Sequence, residues 1–222
     1  MNSKIRVIIT GSTGMVGEGV LHECLNHQEI ESILVINRRA SGVIHPKLKE
    51  IIHSDFFNFT SLRDQLQEYN ACFFCLGVSS VGMKENEYYR LTYTLTMHVA
   101  LVLLKANPMV TFCYISGAGT DSSEKGRMMW ARVKGKTEND LMKLPFKDVY
   151  NFRPGVLKPT KGLKNTLVYY KYFGWLLPVI KLLAPNHITT LKELGTAMIN
   201  AATKGYEKHV LEVKDILILS KR

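Results

Sequence analysis

Residues 4–17 read KIRVIITGSTGMVG, and this stretch decides the fold. Its first half, Lys4–Thr10, is a short β-branched apolar run that predicts a buried strand. Glycines follow at positions 11, 14 and 17, directly before a helix-like segment. Glycine permits positive φ and close approach of backbone N–H groups, and the start of a helix attracts a phosphate. The pattern predicts a pyrophosphate-binding turn, although a tight turn without a ligand would use similar glycines; its residues are Gly11, Ser12, Thr13, Gly14, Met15, Val16 and Gly17.

Strand-like and helix-like segments alternate along most of the chain. The predicted strands are apolar throughout, as in a parallel sheet that is covered on both faces. They are Lys4–Thr10, Ser32–Asn37, Leu48–Ser54, Ala71–Leu76, Val110–Ile115, Asp148–Phe152 and a short one at His209–Val213. The predicted helices are Met15–Asn26, Ser61–Tyr69, Glu85–Ala106, Arg127–Lys143 and Thr190–Ala202. This alternation predicts an α/β fold with a doubly wound, Rossmann-type parallel sheet flanked by helices.

The end of the second predicted strand indicates which dinucleotide the turn accepts. A site for NAD places Asp or Glu about twenty residues after the glycines, where the carboxylate binds the ribose hydroxyls. This chain has Asn37, Arg38 and Arg39 there. A carboxylate would repel a 2′-phosphate, whereas arginines bind it through paired charge-assisted hydrogen bonds. We therefore expect NADP(H) in preference to NAD(H), with a solvated basic turn as the alternative.

The composition is that of a folded globular chain, with 46% hydrophobic and 22% charged residues. A length of 222 residues fits one NAD(P)-binding domain, residues 1–222. The N-terminus lacks the apolar stretch of a secretory signal, so we expect a cytoplasmic location. The net charge of +10 favours acidic partners, such as a phosphorylated small molecule, nucleic acid or an anionic membrane surface. No long run of like charges and no nucleic-acid-binding motif accompanies it.

Two of the four cysteines, Cys72 and Cys75, form a CxxC pattern that invites a zinc or redox interpretation. They lie in the strand-like run ACFFCLG, where residues three apart point to opposite faces. No second CxxC and no nearby pair of histidines completes a set of four zinc ligands. We therefore interpret them as core thiols, together with Cys24 and Cys113, and predict no metal site.

The most apolar stretch, Thr166–Pro185, reads TLVYYKYFGWLLPVIKLLAP. As a membrane-spanning helix it is interrupted by Lys171, Pro178 and Lys181. We interpret residues 158–189 as a lid segment that covers a substrate pocket. A segment that docks on a membrane surface is the alternative.

Further motifs follow the predicted strands in order. They are INRR at Ile36–Arg39, Ser54-Asp55-Phe56, CLG at Cys75–Gly77, Val133-Lys134-Gly135, NFRPGVL at Asn151–Leu157 and YKYFG at Tyr170–Gly174. With the glycine turn, their order resembles the atypical short-chain dehydrogenase/reductases over nearly the whole chain, and more closely their Tat-interacting-protein-like oxidoreductase branch. The resemblance implies an NADP(H)-binding oxidoreductase or a protein similar to the nucleoside-diphosphate-sugar epimerases. It also implies a homodimer, because related folds often pair through the helices after the fourth and fifth strands.

The resemblance implies a cofactor-binding role for each matching position. The adenosine end would be bound by Arg38 and Arg39 at the 2′-phosphate, Asp55 and Phe56 at the adenine, and Leu76, Gly77 and Val78 along the ribose. The nicotinamide end would be bound by Lys134 at the ribose and by Pro154, Gly155 and Val156 above the ring.

The stretch WARVK, residues 130–134, departs from the pattern of that superfamily. Its usual mechanism uses a tyrosine phenol as general acid and base, four residues before a lysine that lowers the phenol pKa. Trp130 stands at the tyrosine position, and the indole N–H only donates and does not titrate in the working range. Lys134 and Ser116 are the remaining catalytic candidates, while Thr120, Ser122 or Ser123 could replace the serine if the loop bends suitably. Tyr93 is near enough in sequence to reach the pocket, but a tyrosine without a lysine four residues later is more typical of a packing role.

Three hypotheses about function stay open at this point. The first is an NADP(H)-dependent oxidoreductase that lacks the usual catalytic tyrosine and acts on a small carbonyl or quinone. The second is a non-catalytic NADP(H) sensor that presents a different surface to a partner when the cofactor binds. The third is a basic module that binds nucleic acid or membrane through surface lysines.

Overall fold

The computed structural model describes residues 4–165 and 187–222. Seven parallel strands form its main sheet in the order β3-β2-β1-β4-β5-β6-β9. These strands are β1 (Ile5–Thr10), β2 (Ile30–Asn37), β3 (Leu48–Ile52), β4 (Ala71–Phe74), β5 (Thr111–Ile115), β6 (Asp148–Arg153) and β9 (Val210–Glu212). A separate pair of short parallel strands consists of β7 (Val156–Lys158) and β8 (Ile188–Thr190).

Helices cover both faces of the sheet. They are α1 (Met15–Asn26), α2 (Arg63–Leu66), α3 (Glu85–Tyr89), α4 (Leu95–Ala106), α5 (Met129–Leu141), α6 (Leu191–Lys204) and α7 (Val213–Leu219). Side chains alternate along each strand, so that Ile9 packs in one core with α1, α6 and α7. Ile8 packs in a second core with α2, α4 and α5 on the opposite face. The result is three layers with two apolar cores, and the fold class predicted from the sequence is confirmed.

The strands and helices agree with the sequence prediction to within about three residues at most ends, which is an ordinary margin for such boundaries. The predicted helix Ser61–Tyr69 is the main difference, because the helical segment starts earlier with a 3-10 turn at Phe56–Leu62. The Asp55 side chain caps that turn by accepting from the Phe57 N–H at 2.9 Å. Within the predicted helix Glu85–Ala106, one π-helical turn at Arg90–Thr94 separates α3 from α4.

Three short elements were not predicted: β7, β8 and α7. Each strand of the β7–β8 pair has three residues, which is too short for a recognisable periodicity. The two strands also come from either side of residues 166–186, so their pairing is non-local. Most of the predicted lid, residues 158–189, lies outside the described residues, and the lid stays a prediction.

The strand order reverses between β1 and β4. From β1 the chain continues to β2 and β3 on one side of the sheet, and from β4 it continues to β5 and β6 on the other side. In open parallel sheets, the loops that leave the strands at such a point diverge and open a crevice at the carboxyl ends. The glycine turn leaves β1 there, and Cys75–Gly77 leaves β4. The predicted phosphate-binding residues therefore lie at the position where this fold can accept a ligand.

Candidate functional site

The glycine turn after β1 is built for close backbone packing. Gly11 has φ +74°, and a Cβ at this position would lie 2.8 Å from the carbonyl oxygen of Cys75. A Cβ on Gly17 would collide with the carbonyl of Gly11. The Gly14 N–H donates to that same carbonyl at 3.0 Å, which closes the turn. Side chains at positions 11 and 17 would therefore open the turn and push α1 away from β1.

The start of α1 faces a cleft of about 470 Å³. Gly14 is the N-cap residue, and it supplies no side chain to cap the N–H groups of the first turn, Met15–Gly17. Uncapped N–H groups and the positive end of the helix dipole bind anions. The cleft is lined by Gly11, Thr13, Gly14, Arg38, Arg39, Cys75, Leu76 and Gly77.

Arg38 and Arg39 add positive charge to one end of this cleft. Both side chains are exposed, and among residues 4–165 and 187–222 neither guanidinium has an ion pair or a hydrogen bond. An exposed guanidinium without a protein partner keeps its fork of donors available for a phosphate.

A second cavity of about 270 Å³ adjoins the cleft and shares Arg38, Leu76 and Gly77 with it. Its other lining residues are Ser54, Asp55, Phe56, Phe57, Val78, Leu91 and Leu95. This lining is mostly apolar and aromatic, and it suits a flat heterocycle. Ten of the sequence-predicted cofactor residues thus line two joined cavities: Gly11, Thr13, Gly14, Arg38, Arg39, Asp55, Phe56, Leu76, Gly77 and Val78.

Two predicted cofactor residues, Ser12 and Asn37, lie beneath the cleft and not in its wall. Their side chains are 1% and 2% exposed. The Asn37 amide donates to the Ser12 hydroxyl at 2.8 Å, which ties the end of β2 to the glycine turn. Their side chains therefore support the cleft from below.

Lys134 and Trp130 occupy successive turns of α5, beside the loop that follows β5. The Trp130 ring lies over Gly119, where a Cβ would be 3.6 Å from the indole. The Lys134 ammonium donates to the carbonyl oxygen of Ser116. Burial lowers the pKa of Lys134 to about 8, and the nearby Glu138 carboxylate opposes this shift. Lys134 is therefore a cation that titrates close to neutral pH.

The Ser116 hydroxyl points into the protein. It is 5% exposed, donates to Glu138 and lies 3.1 Å from the carbonyl oxygen of Phe152. The alternative hydroxyls are engaged as well: Thr120 donates to the Gly117 carbonyl at 2.7 Å, and Ser123 donates to Asp121 at 2.6 Å. These three hydroxyls therefore stabilise the conformation of the loop after β5.

A buried ionic cluster that the sequence analysis missed lies behind Lys134. Glu138 has no exposed surface and accepts from Arg153 Nε at 3.0 Å and from Arg153 Nη2. The same guanidinium reaches Glu212 at 3.0 Å and the Ser122 hydroxyl at 2.5 Å. One signal was present in the sequence, because Glu138 follows Lys134 by four residues and so shares its helix face.

The Tyr93 side chain is held by Asp140 and Lys136 of α5. Its hydroxyl donates to Asp140 at 2.8 Å, and Lys136 pairs with the same carboxylate at 2.9 Å. Burial and the Asp140 carboxylate raise the pKa of Tyr93 to about 12. A phenol with this pKa stays protonated near neutral pH and is a poor general base there.

Pro154–Val156, predicted to cover the nicotinamide end, connects β6 to β7. The Pro154 carbonyl accepts from the Ala118 N–H at 2.9 Å, and a Cβ on Gly155 would collide with the His187 carbonyl. The segment is thus fixed between the loop after β5 and the start of β8. A third cavity of about 250 Å³ lies beside it, lined by Ala118, Gly155, His187, Glu212, Val213 and Lys214.

The sequence pattern of the NAD dependent epimerase/dehydratase family matches residues 7–125, which is just over half of the chain. The chain belongs to this family. The match includes the glycine turn, the arginine pair and the residues after β4 that line the two cavities. Family and cleft together identify an NAD(P)-binding protein of the short-chain dehydrogenase/reductase type.

The chain is also similar to two fungal proteins and to a solved structure. Protein FMP52-1, mitochondrial, from Scheffersomyces stipitis is 25% identical over 213 residues, which are 90% of this chain and 89% of the relative. Protein FMP52, mitochondrial, from Meyerozyma guilliermondii is 29% identical over 157 residues, which are 69% of this chain and 65% of the relative. The structure of MoeE5 in complex with UDP-glucose and NAD is 14% identical with a TM-score of 0.66, and 97% of this chain and 80% of MoeE5 are covered. At this identity, the last comparison shows the fold alone.

The predicted cytoplasmic location is wrong by the same comparison. The relatives in Scheffersomyces stipitis and Meyerozyma guilliermondii are both named mitochondrial proteins. The prediction rested on the absence of a secretory signal. That absence does not separate the cytoplasm from the mitochondria, because neither is reached through the secretory route.

In residues 4–165 and 187–222, no three His, Cys, Asp or Glu side chains are grouped as metal ligands. No described helix has the length and apolar character needed to cross a bilayer. All four cysteines are free thiols; Cys24, Cys72 and Cys113 are buried, and Cys75 borders the cleft.

The buried cluster yields a stability prediction. We expect Glu138→Ala to lower the free energy of unfolding by about 3–5 kcal/mol, because it leaves the Arg153 guanidinium buried without its main partner. The double variant Glu138→Met/Arg153→Met should lose less than Glu138→Ala, since no buried charge is left unpaired. Urea denaturation measures both. Glu85→Ala breaks the exposed pair with Arg132 and should cost less than about 1 kcal/mol; a Glu138→Ala cost no larger than this control would refute the prediction.

The lowered pKa of Lys134 yields a pH prediction. In the folded protein Lys134 loses its proton near pH 8, whereas a lysine in the unfolded chain keeps its proton up to about pH 10.4. Between these values the unfolded state binds more protons, so the contribution of Lys134 to stability rises with pH and is lost as the pH falls towards 8. The stability of the parent relative to Lys134→Met should therefore increase from about pH 7 to about pH 9.5 in urea denaturation. A difference that is constant over this range would mean that the Lys134 pKa is not lowered.

Proposed function

We propose that this protein binds NADP(H) in the two joined cavities and acts as a reductase of a small carbonyl or quinone. The observation that carries the proposal is the pair Arg38 and Arg39, exposed at the cleft and without a partner in the described residues. The proposal places the chain in the Tat-interacting-protein-like branch, as one domain over residues 1–222. It also assumes the mitochondrial location that the names of its relatives indicate.

The residues of the cleft fit a dinucleotide. Gly11 and Gly17 keep the turn free of Cβ atoms, and the uncapped start of α1 supplies donors for a pyrophosphate. The second cavity offers Phe56 and Val78 for the adenine. Toward the other end, Lys134 and the Pro154–Val156 segment lie beside the loop after β5. These residues would hold the nicotinamide half.

NADP(H) is favoured over NAD(H) by the chemistry at the end of β2. Asn37 occupies the position where an NAD site carries a carboxylate, and its amide is buried against Ser12. Among the residues that the structure describes, no acidic side chain lines the cleft that holds Arg38 and Arg39. The 2′-phosphate would meet two cations in the lining of this cleft.

The cofactor, when bound, supplies hydride transfer. The chain's own residues orient the reactants and hold protons. Lys134 is the group near the loop after β5 whose pKa, about 8, permits proton exchange near neutral pH. Trp130 cannot replace it, because the indole does not titrate in this range. Lys134 is therefore our catalytic candidate, while Ser116 has a hydroxyl that is engaged by Glu138.

A second candidate function is an NADP(H) sensor without turnover. Two observations favour it: Trp130 replaces the phenol, and the hydroxyls of Ser116, Thr120 and Ser123 are bound to protein acceptors. A sensor needs only the cleft and a surface that changes when the cofactor binds.

Calorimetry should show that the parent binds NADPH at least about tenfold more tightly than NADH, because charged hydrogen bonds to the 2′-phosphate are each worth about 1.5–3 kcal/mol. Arg38→Ala and Arg39→Ala should each shrink this ratio. Lys125→Ala removes an exposed cation outside the two cavities and should leave the ratio unchanged. Equal affinities in the parent would refute the arginine assignment, and no binding of either would refute both candidate functions.

Stopped-flow single turnover separates the reductase from the sensor. Protein with bound NADPH is mixed with a panel of aldehydes, ketones and quinones while the nicotinamide absorbance is followed. We expect oxidation by at least one compound, and a rate up to about a hundredfold higher in Trp130→Tyr, since a phenol beside Lys134 restores general acid catalysis.

Trp130→Phe is the matched control, because it keeps an aromatic ring but adds no hydroxyl. It should not raise the rate. Tight NADPH binding without oxidation in the parent and in Trp130→Tyr would favour the sensor. An active parent that loses activity in Trp130→Tyr would show that the tryptophan itself contributes to turnover.

A further inference from the structure

The turn that carries the two arginines, residues 37–41, is anchored at both ends by one carboxylate. Glu50 Oε1, on β3, accepts from the Asn37 amide at 2.8 Å and from the Ser41 backbone N–H at 2.9 Å. Arg38 and Arg39 lie between these two anchors. A turn held at its first and last residues by the same oxygen has little freedom to move its central residues away from the cleft.

The anchor continues inward to the phosphate-binding turn. The Asn37 amide nitrogen donates to Glu50 and also lies 2.8 Å from the Ser12 hydroxyl. Asn37 and Ser12 are almost completely buried, so these bonds are shielded from water. The chain Glu50–Asn37–Ser12 therefore fixes the arginine turn relative to the glycine turn.

The charge of Glu50 is bound by neutral donors. Within residues 4–165 and 187–222 it forms no ion pair with Arg38, Arg39 or any other cation. Its carboxylate holds the backbone and the Asn37 amide, and the two guanidinium groups stay available at the cleft. A carboxylate that paired with Arg38 or Arg39 would instead compete with an incoming phosphate.

We propose that Glu50 is a specificity-determining positioning residue, which sets the discrimination between NADPH and NADH by holding the arginine turn at the cleft. The inference rests on the proposed function, since it concerns the same cavities. Glu50 does not line either cavity and acts through Asn37 and Ser41.

Loss of the acceptor has a selective consequence. Without Glu50 Oε1, the Ser41 N–H and the Asn37 amide each lose a partner, and the turn loosens. Arg38 and Arg39 must then be ordered when the cofactor binds, which costs conformational entropy. The 2′-phosphate depends on these arginines, whereas the pyrophosphate depends on the α1 turn, so affinity for NADPH falls more than affinity for NADH.

The test is calorimetric titration of NADPH and of NADH into the parent, Glu50→Ala, Glu50→Gln and Glu31→Ala. Glu50→Ala should reduce the NADPH-to-NADH affinity ratio by about tenfold, comparable to the loss of one charged hydrogen bond. Glu50→Gln keeps an acceptor oxygen without the charge and should stay within about threefold of the parent ratio. Glu31→Ala removes an exposed carboxylate from the opposite end of β2 and should leave the ratio unchanged.

The outcomes separate the inference from the proposed function. A parent that binds NADPH and NADH equally removes the arginine assignment of the proposed function and the inference with it. A parent whose preference is lost in Arg38→Ala but kept in Glu50→Ala overturns the inference alone. A Glu50→Gln ratio as low as that of Glu50→Ala also overturns it, because the charge and not the acceptor would then decide. If Glu50→Ala fails to fold, Asn37→Ala breaks the same chain of bonds and must lower the ratio for the inference to stand.

Discussion

Among the described residues, the ion pair between Glu138 and Arg153 connects more elements of the structure than any other polar contact. It connects the middle of α5 to the end of β6, and through the same guanidinium it reaches β9 at Glu212 and the loop after β5 at Ser122. Ser116 also donates to Glu138, so the start and the middle of that loop are both tied to this ion pair. A fully buried carboxylate is costly unless every lone pair is used, and here the guanidinium and a hydroxyl use them. The position of Lys134 follows, because it lies on the same face of α5 and donates to the Ser116 carbonyl.

The two halves of the candidate site are held by different physical means. At the phosphate end the backbone forms the surface: the absence of Cβ atoms at Gly11 and Gly17 and the uncapped start of α1 create a place for an anion. At the other end side chains form the surface, and buried charges fix them. Backbone surfaces tolerate changes in neighbouring side chains, whereas a buried network transmits each change to all its members. Because of this contrast, a change at a position such as Trp130 can leave the backbone surface of the cleft unchanged.

The sequence predicted the parallel sheet, the glycine turn and most residues of the two cavities, because each has a local signal. Apolar runs mark strands that are buried on both faces, and glycines between a strand and a helix mark the turn. The orientation of side chains at strand ends has no comparable signal. Asn37 was expected to face the cofactor but is buried against Ser12, because it follows the alternation of β2. Glu50, Arg153 and Glu212 were missed since their partners are distant in sequence, and β7, β8 and α7 were missed because they are short.

Trp130 shows why binding and chemistry can separate in this fold. The residues that line the two cavities come from the turns after β1, β2, β3 and β4 and from the helices after β4. Trp130 and Lys134 come from α5, after β5, and make no part of either cavity. A change at position 130 therefore leaves the lining of the phosphate cleft intact. Position 130 holds an indole, which does not titrate in the working range, so of this pair only the Lys134 ammonium, with a pKa of about 8, can exchange a proton near neutral pH.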